Sequence, residues 1–138
     1  MKERLKKLTA LFTAAIMVTA LFTASLTANA ADTDKVRVTV KNEVYSAADG
    51  AAWDGTLIDE WVSIDESSTM MSVLVSVLDS KYYTQTGAEN NYITEINGLK
   101  AGDAGNMSGW MSTINDWFAD EGCDAFSVAN GTLESGDE

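Results

Sequence analysis

The chain reads as an α+β protein, a twisted sheet of about five strands with one helix packed across it. Three observations carry that reading. Val36, Val38 and Val40 alternate strictly with Lys35, Arg37, Thr39 and Lys41, the period of two expected of a half-buried strand. Ser67-Ser68-Thr69 stands just before the apolar run Met70 to Leu78, a hydroxyl cap followed by helical spacing. In the last third, short apolar runs alternate with Gly and Asn turn signals, the punctuation of short strands.

Taken in order, the N-terminus comes first. Lys2, Arg4, Lys6 and Lys7 form a basic head, Leu8 to Leu26 carries no charge, and Ala28-Asn29-Ala30 places small residues where a signal peptidase reads. Residues 1–30 are therefore expected to be a secretory signal peptide cleaved before Ala31. A membrane anchor needs roughly 20 apolar residues, and Thr and Ser dilute this run. No cysteine stands at the cleavage site, which argues against a lipid anchor. The remaining 31–138 segment has 108 residues, enough for one small core. It keeps five basic and 20 acidic residues, a net charge of −15. Such a charge repels nucleic acid and anionic headgroups and suits a soluble protein outside a cell.

The first strand is expected over 35–41, extending towards Val44 and Tyr45, and residues 46–55 read as a loop rich in Ala, Gly and Asp. Thr56 to Ile64 is a second strand whose irregular pattern predicts a bulge or an edge position. Ser68 or Thr69 should cap the helix, with Met70, Leu74, Val77 and Leu78 along its buried stripe and Met71 and Val75 widening it. Tyr82 to Asn91 reads as a polar loop. Tyr92 to Asn97 is a third strand ending in the Asn97-Gly98 turn. Gly109 to Ile114 is a fourth strand, and Phe126 to Ala129 a fifth ending at Asn130-Gly131.

The chemistry-bearing residues are few. The chain has no histidine, which removes His-based triads and zinc sites and the side chain best suited to proton transfer near neutral pH. No Gly-rich phosphate loop is present. A carboxylate pair of glycosidase type would need a deep cleft, which so small a β-rich domain seldom builds. No catalytic residue is assigned. Asp103, Asn106, Asp116, Asp120, Glu121 and Asp124 crowd the C-terminal loops without the spacing of a calcium loop, and read as a solvated acidic face. No metal site is assigned. Cys123, the single cysteine, is expected to be a small buried hydrophobe, an intermolecular disulfide being the alternative. Asn106-Met107-Ser108 and Asn130-Gly131-Thr132 match glycosylation acceptors, read as chance in a sequence with a bacterial type of signal. Tyr92, Trp110, Trp117, Phe118 and Phe126 could supply either the core or a ligand platform. Strand alternation puts Trp110 on a face with Ile114 or at the start of a groove. Trp117, after the turn-like Asn115-Asp116, should sit partly exposed beside Phe118.

The capped helix from Thr69, Tyr92…Ile96-Asn97-Gly98-Leu99, Ser108-Gly109-Trp110-Met111, Asn115 and Gly136-Asp137-Glu138 together resemble a bacterial domain family of unknown function. That family is related to the C-terminal β-domain of transcobalamin and intrinsic factor. The resemblance covers roughly residues 35–138 and implies a β-grasp-like fold in a secreted or wall-anchored protein of Gram-positive bacteria. It implies cobalamin as a candidate ligand, with Trp110 at the family's strand-opening Trp. Two departures stand out: there is no helical partner domain, and in similar domains Gly-Asp-Glu opens a final strand. The domain is therefore expected to be truncated at its C-terminus, with an open sheet edge and marginal stability. The expected function is a secreted or cell-surface, non-enzymatic, transcobalamin-like module binding a soluble ligand such as a corrinoid through Tyr92, Trp110, Trp117 and Phe118. The alternative is a structural or adhesive module of a larger surface protein with no small-molecule site. Expected partners are a small molecule or neighbouring surface-protein domains, with no nucleic acid and no membrane insertion once the signal is removed.

Overall fold

A computed structural model describes residues 33–138; the expected signal peptide and its cleavage site lie outside the described residues. The alternating valines form β1 (Lys35–Asn42), which pairs antiparallel with β2 (Gly55–Ser63). Val36 and Val40 are buried, while Lys35, Thr39 and Lys41 are exposed, as period two requires. Val40 pairs with Ile58 but Lys41 pairs with Thr56. Leu57 is thus an extra residue on β2, the bulge that the irregular pattern called for.

Helix α1 (Met70–Ser80) follows, capped by Thr69. The Thr69 hydroxyl accepts from the Ser72 amide at 3.1 Å, and the Ser72 hydroxyl accepts from the Thr69 amide at 2.9 Å. This reciprocal pair satisfies two donors at the open helix end. The buried face is Met71, Val73, Val77 and Leu78, with Met70, Leu74 and Val75 half-buried. Val73, left out of the expected stripe, is buried because it packs with Val36 of β1 and Leu133. The larger cluster holds Val40, Ile58, Met71, Val77, Leu78, Ile93, Ile96 and Cys123, so Cys123 is a core residue.

The remaining strands are two residues long: β3 (Gln85–Thr86), β4 (Glu95–Ile96), β5 (Leu99–Lys100), β6 (Thr113–Ile114) and β7 (Trp117–Phe118). They form an antiparallel β3-β4-β5 sheet and a β6-β7 hairpin, separate from β1-β2. The protein is thus α+β with one helix among the described residues, but its strands lie in three small sheets where one sheet of about five was expected. Left-handed residues at Gly87, Asn91, Asn97, Gly98, Gly102, Gly105, Asn115 and Asp116 turn the chain before longer ladders can form. Asn97-Gly98 closes β4 on β5, with φ of 48° and 84°, the mirror-image turn that suits the twist of a hairpin. Asn115-Asp116 closes β6 on β7 in the same way, with φ of 49° and 67°. The strand expected at 109–114 shrinks to β6, and β3 falls inside the expected polar loop.

No strand forms at 126–129. One bridge joins Ser127 to Thr69, and the Phe126 carbonyl accepts from the Met70 amide at 2.9 Å. The first amide of α1 has no partner within the helix, and it takes this apolar run as its acceptor.

Candidate functional site

One edge of β1, the first half of α1 and the returning segment 110–120 enclose a groove of about 450 Å³. Its lining is mainly apolar: Val38, Met70, Leu74, Ile93 and Ile114 among others. A shallower depression on the far side of α1, by Ser72, Val75, Ser76 and Asp79, lacks aromatic walls.

The floor of the groove follows from ladder geometry. The Ile64 amide donates to the Asp34 carbonyl at 2.8 Å, one step beyond the Val36–Val62 pair. In an antiparallel ladder the bonding direction alternates along each strand. The even-numbered residues of β1 therefore bond β2, and Lys35, Arg37 and Thr39 direct their backbone groups to the opposite edge. The C-terminal residues occupy the start of that edge. Gly136 donates to the Lys35 carbonyl at 2.8 Å, and Arg37 donates to the Asp137 carbonyl at 2.8 Å. Both segments advance in the same direction. Beyond Arg37 the pairing ceases: among the described residues nothing bonds the backbone of Thr39 on this side. Thr39 and Lys41 are exposed and line the groove.

Side chains fasten the entry of the groove. Arg37 donates to both carboxylate oxygens of Asp59, at 2.7 and 3.1 Å, and reaches Glu138 at 3.4 Å. Hydrogen bonding to Arg37 holds the Asp59 carboxyl below the usual carboxylate range, and the same bond with the charges of Asp59 and Glu138 raises Arg37. Asn115 donates to Asp137 Oδ1 at 2.7 Å and accepts from the Glu138 amide at 3.0 Å. Asn115 and Gly136-Asp137-Glu138, singled out separately in the sequence, thus meet in space.

Three of the four expected ligand-facing aromatics share the groove. Tyr92, Trp110 and Phe118 line it; Trp117 does not. Tyr92, Phe118 and Trp117 are all exposed, and Trp110 is half-buried. Trp110 stacks on Trp53, with ring centroids 5.8 Å apart and planes at 25°. Both indoles donate to carbonyls of the β4-β5 hairpin: Trp53 to Ile96 at 3.0 Å and Trp110 to Leu99 at 3.3 Å. Sequence reasoning missed Trp53, which sits in the 46–55 loop. A Trp amid Ala, Gly and Asp was the available signal, since such a loop rarely carries so large an apolar group without packing it.

The acidic C-terminal loops are put to local use. Asp103 accepts from the Lys100 amide at 2.8 Å, and Asp124 accepts from the Thr69 hydroxyl at 3.1 Å. No group of three or more His, Cys, Asp or Glu side chains among the described residues is placed to hold a metal ion. Asn130 is committed as well, donating to the Ala125 carbonyl at 2.9 Å and accepting from the Thr132 amide at 3.0 Å. No helix among the described residues is long and apolar enough to cross a membrane.

The domain of unknown function DUF4430 is found at residues 67–133. That span holds α1, both Asn-containing hairpins and the aromatic wall of the groove, and nothing in the match links it to transcobalamin-like domains. Neither a curated protein nor a solved structure matches the chain.

Proposed function

We propose that the chain is a secreted or cell-surface, non-enzymatic module that binds a soluble ligand in the groove between β1, α1 and segment 110–120. The observation that carries this reading is the convergence of Tyr92, Trp110 and Phe118, distant from one another in sequence, on one apolar groove of about 450 Å³. Small-molecule sites span roughly 300–1,000 Å³ and are largely apolar with a few polar groups. Aromatic faces suit a flat ligand. Secretion rests on the basic head, apolar run and Ala28-Asn29-Ala30.

A transcobalamin-like, β-grasp-type arrangement is part of the proposal. Its support is the β1-β2 pair crossed by α1, with Gly136–Asp137 following β1 on its other edge. It makes a corrinoid the first ligand to titrate. Trp110→Ala removes a stacked, hydrogen-bonded indole and should cost stability as well as affinity. Tyr92→Ala and Phe118→Ala, at exposed positions, should lower affinity at little cost in melting temperature. Trp117→Ala, outside the groove, should bind like wild type. Absence of corrinoid binding at millimolar concentration, about −4 kcal/mol, would remove the corrinoid reading.

The alternative is a structural or adhesive module of a larger surface protein. Its support is the exposed aromatic surface outside the groove, at Trp61 and Trp117, which a neighbouring domain could cover.

A further inference from the structure

We propose that Asn97 is a modification site: the folded chain deamidates there without an enzyme, and the product loosens the Trp53–Trp110 stack. The chain holds two Asn-Gly pairs, Asn97-Gly98 and Asn130-Gly131. Glycine has no side chain to shield its backbone nitrogen from the asparagine before it. The reaction is intramolecular. The Gly98 nitrogen gives its proton to hydroxide and attacks the carbonyl carbon of the Asn97 side chain. A new C–N bond forms, the bond to the side-chain nitrogen breaks, and that nitrogen takes a proton from water and leaves as ammonia. Water then opens the cyclic imide at either carbonyl, giving aspartate or isoaspartate.

The two pairs are not equivalent. The Asn130 side chain is held at both its nitrogen and its oxygen, by the Ala125 carbonyl at 2.9 Å and the Thr132 amide at 3.0 Å. Its nucleophile is held too, since the Gly131 amide donates to the Val128 carbonyl at 3.1 Å. These bonds must break before the ring can close. At the β4-β5 turn, neither the Asn97 side chain nor the Gly98 amide has a hydrogen-bond partner among the described residues, and Gly98 is exposed to hydroxide and water. The position of the turn gives the reaction its effect. Ile96 and Leu99 flank it as a cross-strand pair, and their carbonyls accept the Trp53 and Trp110 indoles at 3.0 and 3.3 Å. Isoaspartate lengthens the backbone path of the turn by one carbon, which shifts both acceptors, and hydrogen bonds weaken steeply when misaligned. The inference does not depend on what occupies the groove.

The test holds the folded chain, and in parallel the urea-unfolded chain, in mildly alkaline buffer and follows both Asn-Gly peptides by mass spectrometry. The unfolded chain supplies the intrinsic rate at each pair. Folding should slow Asn130 by about tenfold or more, because several hydrogen bonds must break before ring closure, and should slow Asn97 by less. The isoaspartyl form carries a new carboxylate and is separable by anion exchange. Its Trp53 and Trp110 indole N–H groups should exchange with deuterium about tenfold or more faster than in the fresh chain, with Trp61 and Trp117 as references. Asn97→Gly tolerates the left-handed turn but has no side chain to cyclise, so its indole exchange should not change during the same incubation. Folding that slows Asn97 as much as Asn130 overturns the proposal, as does a folded chain in which Asn97 stays intact while the unfolded chain converts. Unchanged indole exchange in the isoaspartyl form, or equal loosening in incubated Asn97→Gly, also overturns it. Should Asn97→Gly fail to fold, the wild-type comparisons decide the matter.

Discussion

Gly87 is buried with φ of 101°, and a Cβ there would run into the Tyr92 carbonyl. The close approach is what turns the chain so that Tyr92 can donate to Gly87 at 3.1 Å and Ile93 can enter the core. Gly87→Ala should therefore cost roughly 3 kcal/mol or more, from left-handed strain plus a backbone clash, read as a lower urea midpoint. Asp65 is a second residue with a definite consequence. It accepts from the Ser67 hydroxyl at 2.6 Å, the Ser67 amide at 2.8 Å and the Ser68 hydroxyl at 3.3 Å. These bonds, the Ser67 hydroxyl foremost, favour the charged form and lower its pKa. A carboxyl whose folded pKa lies below its unfolded one stabilises the fold above the ordinary range near about pH 4. That contribution is lost as pH falls through the folded value. Asp65→Asn should lower the melting temperature near neutral pH and make the decline on acidification shallower, with wild type and variant converging in acid.

At the scale of elements, the local signals were legible where one short-range rule decided the outcome. Period two placed β1, a hydroxyl before an apolar run placed α1, and Asn97-Gly98 placed the β4-β5 turn. Thr69→Ala should lower stability by about 1–2 kcal/mol, because the hydroxyl serves the Ser72 amide and Asp124 together. A double-mutant cycle with Asp124→Ala measures the second part. Phe126–Ala129 was misread because a short apolar run looks the same whether it joins a ladder or, as here, closes the end of a helix. The Trp53–Trp110 stack was illegible because no periodicity links a loop residue to one so far along the chain. Of the candidate site, the aromatic residues were visible in the sequence, which left open whether they form core or a ligand platform. The contribution of β1's backbone depends on ladder parity, which only the register reveals.

Across the whole molecule, the C-terminal residues act as a seam. They bond β1 through Lys35 and Arg37 and the β6-β7 turn through Asn115, joining elements that share no sheet. Asn115 also holds φ of 49°, a region Asn tolerates better than most residues. Asn115→Ala should cost about 1–3 kcal/mol through two lost side-chain bonds and local strain. Residues 134–138 should then become more sensitive to protease than in wild type, while α1 keeps its helical signal in far-ultraviolet circular dichroism. Unchanged protease sensitivity would show that the seam holds without Asn115.

The stacking of Trp53 on Trp110 has an optical consequence. Two indoles 5.8 Å apart and 25° from coplanar are close enough for their electronic transitions to couple. Such coupling splits the absorption into paired bands of opposite sign in circular dichroism. Trp61 and Trp117 are 52% and 79% exposed, have no stacked aromatic neighbour among the described residues, and should emit as water-facing indoles. The two pairs are thus separable by wavelength and by quenching with a soluble anion. The split band vanishes when the loop carrying Trp53 lifts from the β4-β5 hairpin, so the chain carries its own label-free gauge of whether the wall of the groove is assembled.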